Sequence, residues 1–166
     1  MVIENDSESY ALGIDTATGR NLWKLERPRS ANWTSPVPLP PRNDSPADVL
    51  LQSTKGVVAV EAAAGKMLWE FGPSASSMCS SVVEGGVAYV PDAGMTALSV
   101  PAPGREPVSK WNARQINPST ISPLQLKSRL FSVNNAGILT MADAETGDIK
   151  WKLRLIGPFR GLPVGA

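Results

Sequence analysis

Fifteen carboxylates and one thiol are the side chains here that could do acid–base or nucleophilic chemistry, because the 166 residues contain no histidine. That absence removes His-based catalytic triads, His-ligated zinc and the commonest general base at neutral pH. Cys79 is the single cysteine, so it can form neither an intrachain disulfide nor a paired-thiol metal knuckle. Three of the acids are placed at regular intervals. Asp15, Glu61 and Asp143 each stand four residues before a glycine (Gly19, Gly65, Gly147) and eight before a tryptophan (Trp23, Trp69, Trp151). No two acids have a spacing that predicts a shared acid–base or metal site. Sixteen basic residues against fifteen acidic ones leave a net charge of +1, which gives no electrostatic footprint for nucleic acid.

These residues therefore read as parts of a scaffold, and the elements that position them follow from a repeat. GIDTATGRNLW, AVEAAAGKMLW and MADAETGDIKW end at Trp23, Trp69 and Trp151, and a decayed copy, ALSVPAPGREPVSKW, carries Ser99 in the acid position and Gly104 before Trp111. The tryptophans are 46, 42 and 40 residues apart. A second marker keeps step, since Pro36, Ser81, Pro123 and Pro163 follow their tryptophans by 13, 12, 12 and 12 residues. Within a period the chain reads as four short strands: ISPLQL, RLFSV, ILTMAD and DIKWKLRL, divided by turns such as NNAG and AETG. No stretch sustains a helical period. Fourteen Gly and fifteen Pro, against about 12% of residues in an average chain, supply the turns. The prediction is an all-β fold, a β-propeller of four-stranded antiparallel blades with about four blades present. The 46-residue first period is explained by a proline-rich insertion, 38–47.

The acid suits a cap on turn N–H groups and the glycine a positive φ. The tryptophan would then lie across the neighbouring blade, with small residues at the facing turn (Ala17, Ala63, Ala144) allowing close approach. On these residues the chain resembles the tryptophan-docking repeats of the pyrroloquinoline-quinone (PQQ) propeller superfamily. The resemblance covers residues 10–164, with the third repeat degenerate. It implies a ring of seven or eight blades, so that 1–166 is one propeller segment completed by further blades of the same parent protein; the alternative is a four-blade ring closed by pairing terminal strands. It also implies a periplasmic or envelope location, although the acidic first ten residues carry no signal peptide. No apolar run is long enough to span a membrane.

The superfamily holds both quinone-dependent dehydrogenases and non-enzymatic assembly proteins. A dehydrogenase would be expected to show a vicinal Cys pair, a Trp stacked on the cofactor, and acid and Asn ligands for calcium; the lone Cys79 departs from this. The expected function is a non-catalytic scaffold for a protein or small ligand, with no cofactor. The alternative is part of a PQQ-dependent dehydrogenase, using PQQ with calcium and a site completed by missing blades. Binding would fall on the loops leading into the innermost strands, where Arg27, Arg29, Asn32, Trp33, Asn117 and Arg160 are the candidate contacts. Each of these also has a plain reading as solvated loop polarity, and Trp33 as a hydrophobic plug or a stacking platform.

Overall fold

The structure, a computed structural model, describes residues 1–41, 47–102, 104–157, 159 and 163–165. Part of the proline-rich insertion, 42–46, and the candidate contact Arg160 lie outside these residues. Fifteen strands and no helix are found among the described residues. They make four antiparallel sheets in strict chain order. The first is β1 (Val2–Glu4), β2 (Ser9–Ile14) and β3 (Asn21–Glu26). Next come β4 (Val37–Pro38), β5 (Val49–Ser53), β6 (Gly56–Val60) and β7 (Met67–Phe71). The third holds β8 (Val82–Glu84), β9 (Val87–Pro91), β10 (Met95–Ser99) and β11 (Val108–Ala113). The last holds β12 (Leu124–Leu126), β13 (Arg129–Val133), β14 (Ile138–Asp143) and β15 (Ile149–Arg154). The fold is a partial β-propeller of four blades. The first blade has three strands and the other three have four.

Each blade is a meander, the innermost strands β4, β8 and β12 of blades two to four are their shortest, and β4 and β12 both lie against β8. Convergence of blades toward an axis leaves little room there, which accounts for inner strands of two or three residues. Between blades the apolar faces form three cores. Ala11, Leu51 and Val60 join blades one and two. Leu50, Val57, Trp69, Val90 and Leu98 join two and three, and Tyr89, Met95, Leu130 and Ala142 join three and four. Among the described residues no core cluster and no strand pairing connects blade four back to blade one.

A register shift occurs in every blade at the same place, between its last two strands. Gly13, Ala59, Ala97 and Met141 pair with Trp23, Trp69, Trp111 and Trp151, while the next residues pair two positions earlier, so Leu22, Leu68, Lys110 and Lys150 are the extra residues. A bulge re-aims the side chain beside it. In the first blade the indole of Trp23 lies so close over Gly13 that a Cβ there would come within 2.2 Å of its Nε1.

The acid–Gly turns have one geometry. The acid N–H donates to the residue after the glycine and the glycine N–H back to the acid carbonyl, in Asp15–Arg20, Glu61–Lys66 and Asp143–Asp148. The Asp15 carboxylate also accepts from the N–H of Ala17 and Thr18 and from the Thr18 hydroxyl, and Asp143 from the N–H of Glu145 and Thr146. The Thr18 hydroxyl and N–H hold Asp15 below the usual carboxylate range, and the Thr146 and Glu145 N–H groups do the same for Asp143. Because both folded pKa values are lowered, this support is present above the ordinary carboxylate pKa and is lost as pH falls through the lowered one.

Successive blades are joined by the indoles. Trp23 Nε1 donates to the Ala62 carbonyl at 2.8 Å, and its ring covers Gly65 (φ +70°), where a Cβ would meet it at 2.5 Å. Trp111 Nε1 donates to the Ala144 carbonyl at 3.1 Å and its ring covers Gly147 (φ +77°). The close approach thus falls on the glycine, and the residue after the acid contributes its carbonyl. Where the repeat decays the joint changes. Gly104 has open space above it, and Trp69 instead belongs to the apolar core with Leu39, Leu50 and Leu98.

Two substitutions check this account. Gly65→Val puts a β-branched residue at positive φ and displaces the Trp23 ring, and should lower unfolding free energy by about 2–4 kcal/mol in urea titrations. The β12–β13 hairpin turns through Lys127 and Ser128, both at positive φ (49° and 62°). Asn-Gly at these two positions fits such a turn and should stabilise the chain by about 1 kcal/mol, read as a rise in Tm.

Candidate functional site

The loops 27–36, 72–81 and 114–123 lead into β4, β8 and β12 and meet on one face. Their juxtaposition is fixed by a relay along the repeat marker: the Ser35 N–H donates to Ser80 Oγ at 2.9 Å, and the Ser80 N–H to Ser122 Oγ at 2.9 Å. The Trp33 N–H donates to the Ser77 carbonyl at 2.8 Å, which ties the first loop to the second.

Beneath these loops lies a buried polar network. Arg27 Nε donates to Glu4 Oε1 at 2.6 Å, and both side chains are almost fully buried (3% and 1% exposed). Asn32 Nδ2 donates to Glu4 Oε2 at 2.6 Å and to the Gln52 carbonyl at 2.8 Å, and Arg27 Nη2 also reaches that carbonyl. The Gln52 amide continues the chain of bonds. Its Nε2 donates to the Ser76 and Cys79 carbonyls and its Oε1 accepts from the N–H and hydroxyl of Ser81. Blades one, two and three are thereby joined through one carboxylate, one guanidinium and one amide. No buried side-chain N or O among the described residues lacks a partner. Cys79 is buried next to this network, its thiol donating to Ser76 Oγ. Burial pushes the thiol pKa up, so it stays protonated and unreactive at neutral pH.

The candidate contacts accordingly divide. Arg27 is turned inward and engaged by Glu4, and Asn32 is half-buried with its amide spent on Glu4, Gln52 and Thr34. Arg29, Trp33 and Asn117 are exposed. Trp33 is 67% exposed, so it plugs nothing, and Met78 on the adjoining loop is 44% exposed. Glu4, Gln52 and the marker serines were not singled out by sequence reasoning. The serines had a signal, because Ser35, Ser80 and Ser122 precede Pro36, Ser81 and Pro123 in the repeat marker.

Among the described residues no group of three Asp, Glu or Cys converges on a possible metal position. A cleft of about 460 Å³ between blades two and three, lined by Leu39, Pro40, Pro41, Leu68, Trp69 and Val100, is apolar and holds one acid, Asp48.

The chain belongs to the family described as outer membrane protein assembly factor BamB, whose pattern matches residues 7–120 and again 55–166, offset by about one blade. It thus falls within the PQQ-like repeat superfamily that the tryptophan spacing suggested. Among solved structures it is similar to BamB from Moraxella catarrhalis (16% identity, TM-score 0.62), covering 93% of this chain and 48% of that one. A β-propeller domain of Cps50 (Swd1) from Myceliophteria thermophila is similar at 16% identity and TM-score 0.63, with 95% and 55% covered. A europium-containing methanol dehydrogenase matches at 16% identity and TM-score 0.53, over 67% of this chain and 23% of that one. The chain spans about half the length of the first two. No curated protein matches it.

The buried ion pair gives a direct test. Glu4→Ala leaves the Arg27 guanidinium buried without its counter-charge and should cost about 3–5 kcal/mol in denaturant unfolding. The double change Glu4→Leu with Arg27→Met should recover most of that loss, because two apolar side chains leave no charge unpaired.

Proposed function

We propose that this chain is a non-catalytic interaction scaffold, part of a larger propeller ring in a cell-envelope protein, that receives a protein partner on its lead-in-loop face. The observation that carries the reading is Trp33. An indole 67% exposed, held in place through its own backbone N–H, costs little to order on binding and offers a large amphipathic surface. Exposed tryptophans of this kind are the residues that dominate protein interfaces. Arg29, Asn117 and Met78 add charge, amide and thioether contacts on the same set of loops. The buried Glu4–Arg27–Gln52 network below keeps these loops rigid, so a partner would meet a preorganised surface. Family membership supports the envelope location and a protein as the partner. The tryptophan joints between blades serve this role by holding the face together, and do no chemistry.

The dehydrogenase reading makes a different demand, namely PQQ and calcium. A photo-crosslinking residue at position 33, introduced in the parent cells, should capture a discrete envelope protein, whereas the same residue at Lys110 on the outer rim should not. Titration with PQQ and Ca²⁺ should leave tryptophan fluorescence unchanged. Stoichiometric PQQ uptake with alcohol- or sugar-dependent dye reduction would overturn the scaffold reading.

A further inference from the structure

We propose that the apolar cleft between blades two and three binds an uncharged, proline-bearing peptide segment of another protein, held by a hydrogen bond from the Trp69 indole. The cleft is formed by 39–41 after β4, by Gly86 between β8 and β9, and by 100–102 after β10. These connections are at the opposite strand ends from the loops that lead into β4 and β8. The site is therefore separate from the Trp33 face.

The inference starts from a donor without an acceptor. Trp69 follows the same bulge as Trp23 and Trp111, and those two indoles donate to the carbonyls of Ala62 and Ala144. Among the described residues none accepts a hydrogen bond from Trp69 Nε1. The segment in the place of the acid–glycine turn supplies no partner: the Val100 N–H is spent on the Gly86 carbonyl, and Gly104 has nothing within 4 Å of where a Cβ would stand. Yet no fully buried side-chain nitrogen among the described residues lacks a partner. The Trp69 N–H is therefore not sealed in the core, and although the residue is only 6% exposed, its N–H edge opens to the cleft that the ring lines. A donor facing an apolar space is unfavourable until an acceptor reaches it.

The walls define the rest of the occupant. Pro40, Pro41 and Pro101 have no N–H to give, and Leu39, Leu68 and Val100 present hydrocarbon. Asp48, the acid on the wall, is buried and already partnered, so the cleft does not call for a cation. What fits is apolar surface carrying one good acceptor and few donors of its own. A proline-bearing segment has this chemistry: its amide carbonyl is a free acceptor, its ring is apolar, and the prolyl nitrogen brings no N–H into the cleft. Its polyproline II backbone has no internal hydrogen bonds to break and is ordered before it docks, which reduces the entropy lost on binding. A volume of about 460 Å³ falls in the range of pockets that enclose ligands.

The probe is the capped peptide acetyl-Pro-Leu-Pro-Pro-amide, titrated into the isotope-labelled chain while the indole N–H signals are followed by NMR. Before peptide is added, the Trp69 N–H should exchange with water about ten times faster than those of Trp23 and Trp111, which are hydrogen-bonded. Peptide should move the Trp69 signal downfield and leave those two in place, with a dissociation constant of about 1 mM or tighter. Benzothienylalanine in place of Trp69 keeps the ring shape without the N–H and should weaken binding about fivefold, followed by the leucine methyl signals of the peptide. Ala102→Trp, at an exposed wall position, fills the mouth of the cleft and should abolish binding with an unchanged circular dichroism melt. Trp33→Ala should bind the peptide as wild type does, so failure of this site and failure of the lead-in-loop face are read separately. The proposal is overturned by a Trp69 N–H as protected as the other two in the free chain, or by equal binding to the benzothienylalanine variant. It is overturned also if acetyl-Ala-Leu-Ala-Ala-amide binds as well, because proline is then not what the cleft reads.

Discussion

A four-stranded meander with two apolar faces cannot bury both of them by itself, and everything else in this structure follows from how neighbouring blades bury them for each other. The contact that sets the geometry is an indole laid flat on a glycine turn. It needs three conditions at once: a bulge to aim the tryptophan, a residue without a side chain at positive φ to receive it, and a free carbonyl to accept its N–H. Trp23 with Gly65 and Trp111 with Gly147 meet all three. Each such ring removes roughly 150–250 Å² from water, and because the N–H also finds an acceptor, no buried donor is left unsatisfied. Tyr89 uses the same carbonyl, donating to Ala144 at 3.1 Å; burial and the nearby Asp143 carboxylate push its pKa up, so it remains a donor at neutral pH.

The exception shows which condition is indispensable. In the third repeat the acid is replaced by Ser99 and the turn is longer, so Gly104 no longer lies under the preceding indole. Trp69 is nevertheless more buried than its counterparts, at 6% exposed, as a member of the apolar core that includes Leu39, Leu50 and Leu98. Burial of the ring is retained and the turn that usually provides it is not. The indole–glycine joint is therefore one way of burying the ring, and packing among apolar side chains is another. The cleft beside Trp69 is the space that this looser joint leaves.

Much of this was legible in the sequence because the repeat multiplies weak signals. One Asp-x3-Gly-x3-Trp string would say little, but three in step with a second marker define strand count, turn positions and inter-blade joints. What the sequence concealed had no periodicity to reveal it. Glu4, Arg27 and Gln52 occur once each at their positions, and their pairing depends on a fold that brings residues 4, 27, 52 and 81 together. Arg27 looked like a loop cation available to a partner; only the burial of Glu4 beside it turns it inward. Trp33 could be read as plug or platform because exposure is a property of the packed loops.

The two kinds of joint divide the blade between them, and that division explains how the lead-in loops can carry exposed side chains. Tryptophans fasten the blades toward the third and fourth strands, and the Ser35–Ser80–Ser122 relay with the Glu4–Arg27–Gln52 network fastens them at the inner ends. Indole joints bury apolar area and carry stability. The polar network buries charge, which contributes little net stability but permits only one arrangement of its partners, and so it fixes where the lead-in loops stand. With the loop backbones already tied from below, the side chains above them are released from structural duty. Trp33 can then stand 67% exposed without cost to the fold, and a side chain of that size can change its surroundings while the blades beneath it stay in place.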